Sequence, residues 1–304
     1  MAAFRVSQSL LTLRQGFTPR LVASVFRGRR MSTDHFGHDG QAADYAVYRP
    51  KYSREIFALI EKYHEYSGME RSLAVDIGTG TGQVAIPLSK QLQFDKVIGV
   101  DRSKAQLEHA TQLDGVEYAV GDALDIPIDD GRASLLTIAQ TMHWLPLSEF
   151  FAEVRRVLKI GGTFAVLGYA IPEITHEEIQ KEFRAYYVNT LGSTLPVGAP
   201  GCYWDCDRVI LDSGFESTDF KGFKDVTRTW VKDSQKTSLD AHISYLTTMS
   251  AYRTYLQRNS VERGGKDDPL FQFRDKALSV MQAEGLEQLE VIYPYFLILA
   301  QREI

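Results

Sequence analysis

Cysteine is almost absent from this chain of 304 residues: Cys202 and Cys206 are the only two. They sit too close together to staple a large fold, and no second pair completes a zinc site, so they read as reduced structural thiols and no metal is expected. Long apolar runs are missing as well. The longest, such as Tyr295-Phe-Leu-Ile-Leu-Ala300, are strand-sized and fall short of the roughly 18 residues that a membrane-spanning helix needs. No internal repeat and no low-complexity segment is present. Residues 1–33 lack Asp, Glu and Lys entirely, yet hold arginines at 5, 14, 20, 27, 29 and 30. With Phe4, Val6, Leu10, Leu11 and Leu13 available for an apolar face, that composition is the pattern of a mitochondrial transit peptide over residues 1–31. A mitochondrial matrix location is the expectation, and a start at Met31 giving a cytoplasmic form is the alternative. The whole chain carries −5 (34 basic, 39 acidic); without the six leader arginines, 28 basic residues face 39 acidic ones, or −11. Such a surface repels phosphate backbones, which argues against nucleic acid and for a small-molecule partner.

What is present begins with Leu73-Ala-Val-Asp-Ile-Gly-Thr-Gly-Thr-Gly82, an apolar run carrying Asp76 and then glycines at alternate positions. Buried strands of open α/β sheets read this way, with ligands beyond their carboxyl ends. Glycine at a strand-to-helix turn lets backbone N–H groups approach a ligand closely. The spacing Gly78-x-Gly80-x-Gly82 is one residue tighter than the dinucleotide fingerprint. The preceding Asp76 would repel a pyrophosphate and attract a cation. S-adenosylmethionine answers that description, with a sulfonium, an α-ammonium and no phosphate.

The following segments come in the order such a site needs. Val97–Val100 reads as a second strand ended by Asp101, nineteen residues after Gly82, a separation suited to accepting hydrogen bonds from ribose hydroxyls. Val116–Val120 reads as a third strand running into Gly121-Asp122-Ala123, where the Asp122 carboxylate can accept from an adenine amino group. Leu135–Ala139, ending at Gln140, and Thr163–Gly168 read as the fourth and fifth strands. Leu147 to Leu158 has helical spacing, and Gly161-Gly162 is expected to stop that helix.

Residues 73–168 resemble the core of a class I S-adenosylmethionine-dependent methyltransferase. Asp76 with its glycines, Asp101, Gly121-Asp122 and Leu158-Lys159-x-Gly161-Gly162 carry the resemblance, with Ile160 where that family usually has Pro. Other Rossmann-type nucleotide-binding domains, and the aminopropyltransferases that share the cofactor core, are the competing readings. A narrower resemblance, to the small-molecule subgroup containing trans-aconitate methyltransferase-like proteins, rests on Ala43–Pro50, Ala139–Trp144, Tyr186-Tyr187 and Thr248–Tyr252, with Ser53 where Pro is usual. The resemblance implies an α/β fold: a Rossmann-like sheet of seven strands, mostly parallel, with an antiparallel terminal hairpin, flanked by helices and closed by a helical substrate cap.

The organisation expected is a cofactor-covering segment over 32–72, the core over 73–169, and cap additions with the last two strands over 170–304. Ser53 to Tyr66, Thr175 to Leu191 with Thr175 as N-cap, and Ser238 to Gln257 read as helices, and Asp268-Pro269 opens another. Asp76, Gly78, Gly80, Gly82, Asp101, Asp122, Ala123 and Gln140 are the cofactor-binding candidates. Tyr45 and Arg49 join them, the guanidinium as a bidentate partner for the cofactor's carboxylate or else in a surface ion pair. His143 is the candidate for proton transfer, with a packing histidine as the alternative. His143, Trp144, Tyr187, Tyr203 and Trp204 are the substrate-binding candidates, with ordinary core packing as the alternative for each aromatic. The chemistry expected is in-line methyl transfer to an oxygen nucleophile of a small molecule, S-adenosylhomocysteine being the product. A methyltransferase-like binding or assembly protein without turnover is the other class.

Overall fold

The computed structural model describes residues 49–304; Tyr45 and the Arg-rich leader lie outside the described residues. Five apolar runs form the parallel part of one sheet: β1 (Leu73–Ile77), β2 (Lys96–Asp101), β3 (Val116–Val120), β4 (Ala133–Ala139) and β5 (Leu158–Tyr169). Their order is β3-β2-β1-β4-β5. The chain therefore reverses its direction of travel between β1 and β4, the position where open α/β sheets bind ligands. Both faces are covered. Helices α1 (Arg54–Tyr66) and α2 (Ala85–Lys90) pack on one side, α4 (Leu147–Val157) on the other, and the short α3 (Lys104–Glu108) follows β2. Ser53 stands at the N-cap position of α1 without a side-chain capping bond, and Ile56, Phe57, Ile60 and His64 form the helix's buried stripe.

Three sequence expectations need correction. Helix α4 ends at Val157 because Leu158 turns extended, and Gly161-Gly162 instead lie inside β5. Gly161, at φ +79°, belongs to a bulge that lets β5 advance from Leu158 to Thr163 while β4 advances only from Ala133 to Leu135. The sheet has eight strands, not seven. The extra pair of residues, β6 (Glu173–Ile174), continues beside β8 (Leu289–Arg302) just beyond the point where β5 ends at Tyr169. Finally, β7 (Phe223–Thr237) and β8 do pair antiparallel, but no hairpin turn joins them. Between them run α7 (Leu239–Thr247), α8 (Ser250–Asn259) and α9 (Pro269–Glu284).

Those helices, with α5 (Glu177–Arg184), its continuation as a π-helical segment Ala185–Thr190, and α6 (Arg208–Asp212), build the cap. The N-cap of α5 is His176, one residue later than expected, whose ring accepts from the Ile179 amide. The single helix expected over 238–257 is broken at Met249, which is extended. The break frees the Thr248 carbonyl, and Arg49 Nη2 donates to it at 3.0 Å. Asp268 caps α9 through the amides of Leu270 and Phe271, with Pro269 at its first position.

Candidate active site

Strand alternation decides what lies beneath the glycine turn. Val75, Ile77, Leu136 and Ile138 point into the core on the α4 face, so Asp76 and Thr137 point to the other. They are also register partners in the parallel pair β1–β4, and the Thr137 hydroxyl donates to Asp76 Oδ1 at 2.7 Å. Asp76 is 1% exposed, and its Oδ2 has no hydrogen-bond partner. Burial, opposed by the Thr137 bond and reinforced by the nearby Asp101 charge, pushes its carboxyl up to about 6.

The turn above it is built on left-handed glycines: Gly78, Gly80 and Gly82 have φ of +66°, +55° and +87°. A Cβ on Gly78 would collide with Thr141 Oγ1, and one on Gly82 with the Tyr118 hydroxyl. Gly80 has no such neighbour; Gln106 Oε1 lies 3.7 Å from where its Cβ would stand. Asp101 anchors this turn. Its Oδ2 accepts from the Gly80 amide and its Oδ1 from the Ser103 amide, both at 2.8 Å. A carboxylate has about four acceptor directions, so two amides leave capacity for hydroxyl donors. Asp122 closes an Asx turn by accepting from the Leu124 amide at 2.9 Å, and its other oxygen stands 3.7 Å from Arg102 Nε. Ala123 beside it is buried.

The unpartnered buried atoms around the turn are Asp76 Oδ2, Gln106 Oε1, the Thr79 hydroxyl and, one residue past Gly82, Gln83 Nε2. Two of these are acceptors only, the hydroxyl can accept, and the Gln83 amide nitrogen donates. The oxygens fit a group that brings an ammonium, a sulfonium and ribose hydroxyls, and the buried Asp76 carboxyl does not fit a pyrophosphate.

Gln140 to Trp144 forms the wall between this turn and a second space. Gln140 is left-handed (φ +48°) and is tied at both ends: its amide donates to Leu167 O and its Nε2 to Tyr169 O. Thr141 packs on Gly78, while Gln140, His143 and Trp144 line an enclosed cavity under the cap. The cavity measures about 60 Å³, small beside the roughly 300 Å³ or more of common ligand pockets. Arg49, Arg208 and Arg253 also line it, and no acidic side chain does among the described residues. Arg49 Nη1 donates to the Tyr169 hydroxyl at 3.0 Å, and its guanidinium lies 5.6 Å from the Tyr245 ring centre. Arg208 is held to Asp212 at 2.6 Å and lies 4.8 Å from the Trp204 ring centre. Enclosure, with the Arg208 and Arg49 charges, holds the His143 imidazole well below its usual range, so it is neutral. Burial pushes the Cys206 thiol, also in the lining, up to about 12, making it an inert wall residue.

The structure thus brings Asp76, Gly78, Gly80, Gly82 and Asp101 together at one turn. It puts His143, Trp144, Trp204 and Arg49 around one cavity. Tyr187 and Tyr203 are not in the cavity lining. Tyr187 is buried behind it, its hydroxyl donating to Asp212 Oδ2 at 3.4 Å. Tyr203 packs on Tyr255 and accepts from Asn259 Nδ2, because the loop carrying it turns toward α8. Sequence reasoning missed Thr137, Thr141, Gln106, Arg208 and Arg253. Strand alternation was a usable signal for Thr137; single arginines in cap helices gave none.

The sequence profile of the methyltransferase domain family matches residues 75–166. A Dictyostelium discoideum protein classed as a methyltransferase is 30% identical over 274 residues, covering 89% of this chain and 95% of its own. The malonyl-[acyl-carrier protein] O-methyltransferase of Geobacter sulfurreducens is 30% identical over 149 residues, 47% of this chain and 55% of its own. Among solved structures, a type II methyltransferase of Anaeromyxobacter dehalogenans superposes with a TM-score of 0.65 at 27% identity, covering 84% of this chain and 98% of that one. With the glycine turn, the buried carboxylate beneath it and the acid-capped second strand in place, the chain belongs to the class I S-adenosylmethionine-dependent methyltransferases.

Proposed function

We propose that this protein methylates an oxygen nucleophile, a carboxylate or a hydroxyl, on a small molecule held between Gln140–His143 and the cap. One observation carries the reading: the segment Gln140–His143 touches the glycine turn through Thr141 and the cavity through its flanking side chains. S-adenosylmethionine, when bound, supplies a methyl group already activated on a sulfonium. The residues that would hold it are Asp76 for its cationic groups, Asp101 for the ribose, Asp122 and Ala123 for the adenine, and Arg49 for its carboxylate. In the transfer, a lone pair of the acceptor oxygen forms the new O–C bond while the C–S pair returns to sulfur, leaving S-adenosylhomocysteine.

The protein's task is alignment and exclusion of water. A carboxylate acceptor needs no base; a hydroxyl acceptor needs one, and neutral His143 can take that proton. The oxygen chemistry in the name of the Geobacter relative points the same way. An extract of small metabolites, incubated with the protein and methyl-labelled cofactor, should yield labelled small molecules. Label confined to protein or RNA would overturn the reading. The leader composition supports a mitochondrial address, which a fusion of residues 1–31 to a fluorescent protein would test.

A further inference from the structure

Resting on that reading, we infer that the acceptor carries an anionic group that is not the oxygen methylated, and that Arg208 and Trp204 bind it, with Arg253 at the cavity's lip. The donors point to this first. Around the cavity, Arg208 Nε and Trp204 Nε1 are buried without hydrogen-bond partners, and the Arg208 side chain is only 12% exposed. An acceptor that presents no oxygen to them would leave both N–H groups unpaired. A carboxylate or another oxyanion supplies several acceptor positions and makes the stronger, charge-assisted bond to the guanidinium.

Charge is the second argument. Asp212 compensates Arg208 from behind, accepting also from the Ile171 amide and the Tyr187 hydroxyl, which fixes the guanidinium against Trp204. Arg253 makes no ion pair among the described residues, and the Arg49 charge acts against its own. The cofactor's carboxylate would answer Arg49 and leave Arg253 and the sulfonium beside the second ligand. Placing these two cations around one small space is costly unless that ligand is negative.

The third argument concerns which oxygen reacts. Methyl transfer to an oxyanion consumes its charge, so a guanidinium bound to that oxygen stabilises the ground state more than the transition state and slows the step. Arginines buried around the acceptor therefore hold a spectator anion. The reacting oxygen faces Gln140 and His143. The acceptor class is a small acid with a second oxygen function, either a hydroxyl or another carboxyl.

The test uses the full-length protein saturated with S-adenosylhomocysteine for binding and with labelled cofactor for turnover. The probes are acetate and propionate, succinate and malate, and the neutral 1,4-butanediol. Succinate and malate should bind and accept label; acetate and propionate should compete with them yet stay unlabelled. Arg208→Gln should raise KM for the labelled acid more than tenfold while kcat changes less than threefold, and Arg208→Lys should recover part of the loss. Because Arg208→Gln leaves Asp212 unpaired, the double variant Arg208→Gln/Asp212→Asn and the lip variant Arg253→Gln keep the test independent of folding. Both should weaken acid binding and leave S-adenosylhomocysteine affinity unchanged. Labelling of acetate as efficient as that of succinate, or equal labelling of butanediol, would overturn the inference and leave oxygen methylation standing. If no acid binds the loaded protein, the inference fails. Label appearing only on an amine included as a control would overturn the oxygen reading itself.

Discussion

The two halves of this site present opposite chemistry. Under the glycine turn the unpartnered buried atoms are mostly oxygens, on Asp76, Thr79 and Gln106, with Gln83 Nε2 beside them; around the cavity they include the N–H groups of Arg208 and Trp204. The first half is made of backbone and mostly short side chains from adjacent strand ends, and its residues from Asp76 to Ala123 fall within fifty positions of one another. The second is made of long side chains delivered by the cap and by the stretch before α1, from positions as far apart as Arg49 and Arg253. A cationic cofactor and an anionic acceptor can occupy neighbouring spaces because Gln140–Trp144 stands between them. The acidic balance of the whole chain, −5, hides this division. Net charge describes the outer surface, and the cavity has the opposite sign.

The comparison breaks most visibly with pH. The Asp76 carboxyl lies at about 6 in the folded protein against 3.8 as the ordinary value. Its folded pKa is raised, so its contribution to stability is present in full below 3.8 and is lost as the pH rises through 6, roughly 3 kcal/mol in all. Urea unfolding of the protein without cofactor should show that loss between these values, and Asp76→Asn should remove it. Bound cofactor, bringing positive charge, favours the ionised form, so its affinity should increase over the same interval.

Asp101→Ala sharpens the contrast from the other side of the turn. It should weaken S-adenosylmethionine binding by roughly 1.5–3 kcal/mol, the scale of a hydrogen bond to a charged group. Part of that loss comes from the Gly80 amide, which Asp101 also anchors. Titration calorimetry checks this, and unchanged affinity would remove Asp101 from the cofactor site. His143→Ala addresses the opposite half. It should lower kcat/KM for the acceptor at least tenfold, about 1.4 kcal/mol, with cofactor affinity within a few-fold of the parent. Since His143 is held well below its usual range, the pH–rate profile should carry no inflection near the ordinary histidine value.

The smallest effect at neutral pH belongs to the cap's interior. His242 is 1% exposed, has neither nitrogen hydrogen-bonded, and burial lowers it to about 4. Its depressed pKa means that stability is lost as pH falls from 6.5 toward 4. His242→Leu should flatten that acid limb and raise stability near neutrality by about 1 kcal/mol, leaving methyl transfer unaffected.

The same contrast governs how much could be read from the sequence. Asp76, the three glycines and Asp101 were legible because a strand followed at once by a tight turn writes its requirements into consecutive residues. The five parallel strands followed from the same run of apolar segments, but their order in the sheet did not. The bulge at Gly161 was misread as a helix stop because left-handed glycine serves both, and only the register of β4 with β5 separates them. Arg208 and Arg253 were invisible for a different reason. Each is one arginine in a cap helix, indistinguishable by composition from a solvated one until tertiary packing turns it inward. Tyr187 and Tyr203 were legible as aromatics of the cap, but not that both stay out of the cavity lining.

The most direct test of the account sets two cofactors against each other. Titrated into the full-length protein, S-adenosylmethionine should bind with a measurable heat, because its cations and hydroxyls meet the oxygens of Asp76, Asp101 and Gln106. NAD, whose pyrophosphate would meet the same oxygens, should give none. Binding of NAD at micromolar concentration with no heat from S-adenosylmethionine would contradict the account at its centre.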